Sequence, residues 1–464
     1  MSDVVGVVLA AGMGTRMKSE TPKVLHEICG RPLVAWVVQA ALDAGVQRCV
    51  VVVGHAKEQV EETLRARFGD KVAFAEQTEQ KGTGHATACA LPAIEGHQGH
   101  VLVLYGDCPL IPPTLLEDII GGTGSAHLGL VTAPLDEPTG YGRILRDTGV
   151  VKGIREERDC SADERAITEV NPGIYCIEAA FLRDAVKKLD TNNDQGELYL
   201  TDLVAMAAEV GEVATVTGDM ATLRGVNDRW ELSQVGVAMR ARVNEGLARA
   251  GVGIVDPATT FIDADCTIDA DATIQPGVHL RGRCRVEAGA VIDSGSVLTD
   301  VVVESGAVLL PYTVASESRI GPRASVGPFS HLRPKTDMAE GSKVGNFSET
   351  KKTVIGKGSK VNHLAYVGDG QIGDGVNIGA GVIFCNYDGV QKHTTTLEDG
   401  VFIGSDSQLV APITVGKGAY VASGSTVTKD VPADALAVSR TRQSNKEGYA
   451  SRLRARFEAA KKKS

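Results

Sequence analysis

The sequence predicts two architectures in one chain, an α/β unit on a mostly parallel sheet followed by a parallel β-helix of hexapeptide repeats. Three observations carry the prediction. Unbroken apolar runs, VVGVVLA from Val4, RCVVVVG (48–54) and VLVLYGD (101–107), alternate with helical stretches in the first half. Strands buried on both faces of a parallel sheet read as such runs. A glycine turn, LAAGMGTRM (9–17), stands straight after the first run. In the second half an aliphatic residue recurs every sixth position, a period that neither a helix nor a single strand sustains.

In chain order, residues 1–227 form the α/β unit, with PLVAWVVQAALDAG (32–45) and AKEQVEETLRARFG (56–69) as helices between strands. This is the Rossmann-like, doubly wound pattern, whose ligands sit at the carboxyl ends of the strands. LAAGMGTRM and the YGD of 105–107 both lie at such ends, which points to a nucleotide site. The turn fits neither of two familiar phosphate motifs. After Gly12-x-Gly14 come Thr15, Arg16 and Met17, so the dinucleotide fingerprint lacks its third glycine and the P-loop its lysine and hydroxyl.

Residues 228–250, DRWELSQVGVAMRARVNEGLARA, read as one connecting helix. From 251 to 438 the six-residue beat takes over. It runs through Ile262, Ile268, Ile274, Leu280, Val286, Ile292 and Leu298, then after a slip through Val302, Val308, Val314, Ile320, Val326 and Leu332. It returns at Ile355, Val361 and Val367, at Ile372, Ile378 and Phe384, and from Leu397 to Val427. Each hexad is one short strand and a corner, with its aliphatic residue inside the coil. The segments 333–343 (RPKTDMAEGSK) and 385–396 (CNYDGVQKHTTT) are expected to leave the beat and build a binding face. Residues 439–464 form a basic tail, solvated beyond about 445.

Composition narrows the function. A chain of 464 residues with 43% hydrophobic content is globular and multi-domain, and 53 glycines with only 4% aromatics suit many tight turns. A net charge of −10 argues against nucleic acid. No apolar run reaches the roughly 20 residues that span a bilayer, and no basic leader precedes the first strand. The expectation is a cytoplasmic protein with no membrane partner. Nine cysteines without CxxC spacing read as free thiols, and the Asn346-Phe347-Ser348 glycosylation triplet carries no meaning in that compartment.

Behind the turn, Pro22-Lys23, EQKGTGHA (79–86), YGDCPL (105–110), PTGYGRI (138–144), EVNPGIY (169–175) and GVND (225–228) follow in order. VGNFSETKK (344–352), KVNHLAYVGD (360–369) and GAGVIFCNYDG (379–389) stand in the repeat region. The turn with Pro22-Lys23 resembles the opening of sugar nucleotidyltransferases, and the whole set resembles the GlmU family of bifunctional enzymes. That resemblance implies two activities: acetyl transfer from acetyl-CoA to glucosamine-1-phosphate, then uridylyl transfer from UTP to N-acetylglucosamine-1-phosphate. The product would feed peptidoglycan and lipopolysaccharide synthesis. It also implies a left-handed β-helix packed as a homotrimer, with acetyl-transfer sites shared between subunits.

For uridylyl transfer the nucleophile is already an anion, so the site must position and neutralise rather than deprotonate. Arg16 and Lys23 can clamp the triphosphate, while Gly12 and Gly14 admit backbone amides to it. The resemblance implies Mg²⁺ on Asp107 and Asn227, and a nucleotide framed by Leu9, Ala10, Ala11, Gly12, Gln77, Gly82, Thr83, Tyr105 and Gly106. It assigns the sugar to Gly142, Glu156 and Asn171; Pro172, where the family usually has threonine, is expected to alter the rigidity of that loop without loss of activity.

Acetyl transfer needs a base, and histidine suits neutral pH. By resemblance the base is His363, with Glu349 orienting its ring. Arg333, Lys351, Tyr366, Asn377 and Lys392 resemble the set that grips glucosamine-1-phosphate. Asn386 and Ser405 match donors to the thioester oxyanion, and Ala380, Tyr387, Ser423 and Arg440 match positions lining acetyl-CoA. Position 423 is often alanine in the family. Two other readings stand beside this one: a single-activity nucleotidyltransferase with an inert or regulatory β-helix, and a non-enzymatic sugar-nucleotide sensor.

Overall fold

The computed structural model describes residues 3–462. They divide into two compact units, one running up to Glu245 with Ile262–Ala264, the other holding Gly246–Phe261 and everything from Asp265 on. Among the described residues no helix is long and apolar enough to cross a membrane.

In the first unit the apolar runs become strands β1 (Val4–Leu9), β2 (Cys49–Val53), β3 (Val72–Glu76) and β4 (His100–Tyr105). They lie parallel in the order β3-β2-β1-β4. The chain leaves β1 toward one side and returns on the other, so the crevice between the ends of β1 and β4 is the topological switch point. Register fixes its floor: Leu9 pairs with Tyr105 at the last position of both strands. The sheet then turns mixed. Strands β5 (Leu128–Pro134), β6 (Gly142–Asp147), β7 (Val150–Arg155), β8 (Glu169–Asn171) and β9 (Tyr175–Glu178) continue it in the order β9-β5-β8-β6-β7, largely antiparallel. A last strand, β10 (Ala214–Thr217), runs parallel to β5.

Both faces are covered. Helices Leu33–Asp43 and Pro113–Thr123 pack on one apolar cluster, and Thr83–Ala90 and Asp202–Val210 on the other. That double covering is why β1, β2 and β4 carry valine and leucine without alternation. The helix Arg229–Arg249 follows the sheet.

In the second unit the strands are two or three residues long and form three parallel sheets of 11, 10 and 9 strands among the described residues. Up to the last coil each strand pairs with the third one on, so three strands complete one coil. Ile274, Leu280, Val286, Ile292, Ile320, Val326 and Leu332 point inward with no solvent exposure.

Two expectations are corrected. Val308 and Val314 are 36% and 41% exposed and face outward, and Val302 is only partly buried. The inward residues there are Val303, Leu309 and Ala315. The corner after Leu298 is one residue short, and so is the one before Ile320. In a run of adjacent valines such as 301–303, period alone cannot say which one enters the coil. The segment 333–343 also keeps the beat, because Met338 and Val344 are fully buried in strands Asp337–Met338 and Lys343–Val344. The segment 385–396 does leave it, as a hairpin bridged between Tyr387 and Lys392. The tail carries an exposed helix, Tyr449–Lys461.

Candidate functional sites

The first site lies over the switch point. A cavity of about 320 Å³ is lined by Leu9, Ala10, Ala11, Gly12, Lys23, Gln77, Gly82, Thr83, Tyr105 and Asp107, and also by Val24, Gln80, Ala86 and Glu197. A side chain placed on Gly12 would meet nothing within 4 Å, so the space above the turn is open. Gly14 is different. Its φ is +61°, and a Cβ there would sit 2.5 Å from Lys23 Cβ. Only glycine lets the turn close onto Lys23, whose ammonium pairs with Asp107 Oδ2.

Asp107 is tied to the end of the unit through its backbone, which accepts the N–H of Val226 at 2.9 Å. The next residue, Asn227, accepts from Arg16 through Oδ1 at 2.8 Å, and its own N–H donates to Glu231 at 2.7 Å. A carboxylate oxygen and an amide oxygen thus already face a cationic group each. One carboxylate, one neutral oxygen and room for phosphate suit Mg²⁺, which keeps water and substrate oxygens in its shell. Gly106 packs tightly, its N–H donating to Leu9 O at 2.9 Å.

The mixed half of the sheet brings the other three residues together. Asn171 pairs with Gly142 across β8 and β6, and a Cβ on Gly142 would lie 3.6 Å from Glu156 Oε2. Glu156 accepts the Thr201 hydroxyl at 3.0 Å, and burial pushes its carboxyl above the usual range. Asn171 donates to the Tyr175 hydroxyl and accepts the Gly173 N–H. Gly173, at φ +87°, is pressed against the Tyr105 ring, where any Cβ would collide. Burial, then the charge of Glu156, hold the Tyr105 phenol well above its ordinary pKa, so it stays neutral.

Gln80, Glu197 and Thr201 were not foreseen. Gln80 donates to Ala11 O at 2.9 Å and fastens its loop to the glycine turn. It stands inside EQKGTGHA, so the signal was present; nothing in the spacing marks Glu197 or Thr201.

The second site follows one edge of the prism. Corner residues one coil apart stack there: the N–H of Leu364, Gly381, Asp406 and Gly424 donate in turn to the carbonyls of Asn346, His363, Ala380 and Ser405. His363, Ala380, Ser405 and Ser423 therefore form one column. His363 Nδ1 meets Asn346 Oδ1 at 2.7 Å. Glu349 is instead bonded to Arg333 at 2.8 Å. It shares a ladder with Tyr366 on the face beside that edge.

On the same face Lys392, then Arg333, hold the Lys351 ammonium below the usual lysine range. Three cations thus crowd one spot, an arrangement that accepts an anion. The 385–396 hairpin delivers Lys392 to it. Asp388 accepts from His393 at 2.7 Å and from the N–H groups of Gln391 and Val390, which holds its carboxyl well below the usual range. Asn386 is buried and donates to Asp369 at 2.6 Å, while the Tyr387 hydroxyl closes on Gly389 O. Asn377 lies on the adjacent face, between Lys360 and Phe402. Arg440 is exposed just past the last coil.

Comparison with known proteins agrees with both units. Residues 6–158 match the MobA-like NTP transferase domain. Residues 394–429 match the bacterial transferase hexapeptide (six repeats), and 260–294 the hexapeptide repeat of succinyl-transferase. The "Bifunctional protein GlmU" of Sorangium cellulosum is 54% identical, covering 98% of each chain. Its namesake from Anaeromyxobacter sp. is 50% identical over 97% of this chain and 93% of its own. That from Trichlorobacter lovleyi is 47% identical over 96% and 97%. With a nucleotidyltransferase sheet at one end, a left-handed hexapeptide β-helix of the acyltransferase kind at the other, and kinship along nearly its whole length, this chain belongs to the GlmU family of bifunctional transferases.

Proposed function

We propose that the first unit transfers uridylyl from UTP to N-acetylglucosamine-1-phosphate, and the β-helix transfers acetyl from acetyl-CoA to glucosamine-1-phosphate. At the first site Leu9–Gly12, Gln77, Gly82 and Thr83 frame the nucleotide, and Arg16 and Lys23 neutralise the triphosphate. Gly142, Glu156 and Asn171 hold the sugar so that its phosphate points in line at the α-phosphorus. Bound at Asp107 and Asn227, Mg²⁺ would supply further neutralisation of the departing pyrophosphate. Arg16 and Lys23 stand on those same two oxygens and would swing to phosphate when the cation enters.

At the second site the arrangement that carries the reading is the cationic group Arg333, Lys351 and Lys392 on the face next to His363. Those charges hold the sugar phosphate, and His363 takes the proton as the amine attacks the thioester carbon; collapse of the adduct breaks the C–S bond and releases the CoA thiolate, to which the His363 imidazolium can return the proton. The oxyanion that forms faces Ser405 on the column and the amide of Asn386, which has two N–H donors and commits one to Asp369. Ala380, Tyr387, Ser423 and Arg440 line the path of the CoA moiety.

Trimer formation is supported by the surface beside the column. Tyr312, Phe329 and Phe347 stack at 5.2 and 5.6 Å, Leu364 continues the line, and all four are at least half exposed. About half of each side chain remains to be covered, so each would gain on the order of 1 kcal/mol on full burial. Asn377 and the tail with Arg440 would then complete a neighbour's site.

The test is incubation with acetyl-CoA, glucosamine-1-phosphate, UTP and Mg²⁺, with products read by mass. His363→Ala should abolish acetylation and spare uridylyl transfer to supplied N-acetylglucosamine-1-phosphate; Asp107→Ala should do the reverse. Full acetyl transfer by His363→Ala would overturn the assignment of the base.

A further inference from the structure

We infer that Asn346, rather than a carboxylate, is the positioning residue of His363, and that it acts by fixing which ring nitrogen carries the proton. The inference rests on the reading of His363 as the base. An imidazole can take a proton from the amine only through a nitrogen with a free lone pair. Which nitrogen that is depends on the hydrogen bond made by the other. His363 Nδ1 lies 2.7 Å from Asn346 Oδ1. A carbonyl oxygen has no proton to give, so the contact requires Nδ1–H and leaves Nε2 as the basic atom.

The backbone makes the contact obligatory. Asn346 and His363 occupy the same corner on successive coils, and the N–H of Leu364 donates to Asn346 O at 3.2 Å. On the far side, Gly345 and Asn362 are packed so closely that a Cβ on Gly345 would lie 2.0 Å from Asn362 O. The Gly345 N–H also donates to Val361 O at 2.7 Å, so the two corners are bonded in register and each side chain rises from a fixed base. Glu349 sits three residues beyond Asn346, on the strand that leaves the corner, and is held by Arg333.

A neutral partner has a chemical consequence. A carboxylate stabilises the imidazolium and raises the pKa of the base, whereas an amide oxygen orients the ring without that charge. Other charged groups on the elements around this corner are Lys343 and Lys360 on the strands that enter it, Glu349 and Lys351 on the strand that leaves it with Arg333 one coil before, and Asp406 two coils on.

The experiment compares Asn346→Ala and Asn346→Asp in the full-length enzyme, following CoA release across pH with pyrophosphate release as control. Asn346→Ala should lower kcat for acetyl transfer about 10- to 100-fold, by analogy with the partners that orient metal-bound histidines, with KM little changed. Asn346→Asp keeps an acceptor and adds charge. It should recover kcat at high pH while its acidic limb moves up by about one pH unit. The inference is overturned if Asn346→Ala keeps the parental kcat, or if Asn346→Asp is as slow as the alanine variant at every pH. Acetyl transfer surviving in His363→Ala would instead remove the base beneath it.

Discussion

Substituting alanine for Gly14 tests whether the glycine turn exists to deliver Lys23. Two costs follow from the structure. Residue 14 sits at φ +61°, where an L side chain loses about 1–2 kcal/mol. The new Cβ would also lie 2.5 Å from Lys23 Cβ. Carbon atoms settle near 3.5–4.0 Å, so one of the two must retreat by about 1 Å. Met17 anchors the turn, being almost wholly buried and donating to Gly14 O at 2.9 Å. Lys23, whose ammonium is held among the described residues only by its ion pair with Asp107 at the cavity wall, is the part that yields. A misplacement of about 1 Å at a reacting group costs about 100-fold in rate. Gly14→Ala should therefore slow pyrophosphate release from UTP and N-acetylglucosamine-1-phosphate about 100-fold. The acetyl-transfer rate of the same preparation is the internal control for folding. Uridylyl transfer within threefold of the parent would refute the claim that turn closure places the lysine.

Other consequences can be checked with less labour. Lys392→Met should raise KM for glucosamine-1-phosphate about tenfold, the low end for a charged contact at a solvent-screened face, and leave KM for acetyl-CoA unmoved. Leu309→Ala should cost the β-helix 2–5 kcal/mol by denaturant melting, whereas Val308→Ala stays within about 0.5 kcal/mol, because only Leu309 points into the coil. Equal losses would restore the original register. Glu156 has a folded pKa raised by burial, so its contribution to stability is full below its unfolded value of about 4.3 and is lost as pH rises through the folded one. Calorimetry of Glu156→Gln should show a higher melting point at pH 7, a gain that fades toward about pH 4, together with impaired sugar binding.

Much of the first unit was legible because its signals are local. A strand buried on both faces must be apolar throughout, and a turn that closes on a lysine must carry glycine at the closing point. Gln80 shows the next level of difficulty. The motif around it was recognisable, yet its bond to Ala11 O depends on where two loops meet, which no spacing in the chain reports. Thr201 and Glu197 lie further off still: they reach the site only because the chain after residue 190 folds back over the helix Thr83–Ala90, where the Gly84 N–H donates to Leu198 O.

The β-helix reverses this relation between distance in sequence and distance in space, and there the missed partner was countable. A coil takes 17 or 18 residues, so the neighbour of any corner residue stands one coil away. His363 minus one coil is Asn346, and the bond between them follows. Glu349, assigned by resemblance, lies past the corner on a face where Arg333, sixteen residues earlier, is the group it meets. The same arithmetic links His363 to Ala380 and, once the 385–396 hairpin is added, to Ser405 and Ser423. That hairpin also explains why Lys392 joins Lys351 although no whole number of coils separates them: Asp388 and His393 fold the insertion back on itself and return it to the face it left. In a solenoid, then, chemical plausibility proposes a partner, but the coil count decides which side chain can reach.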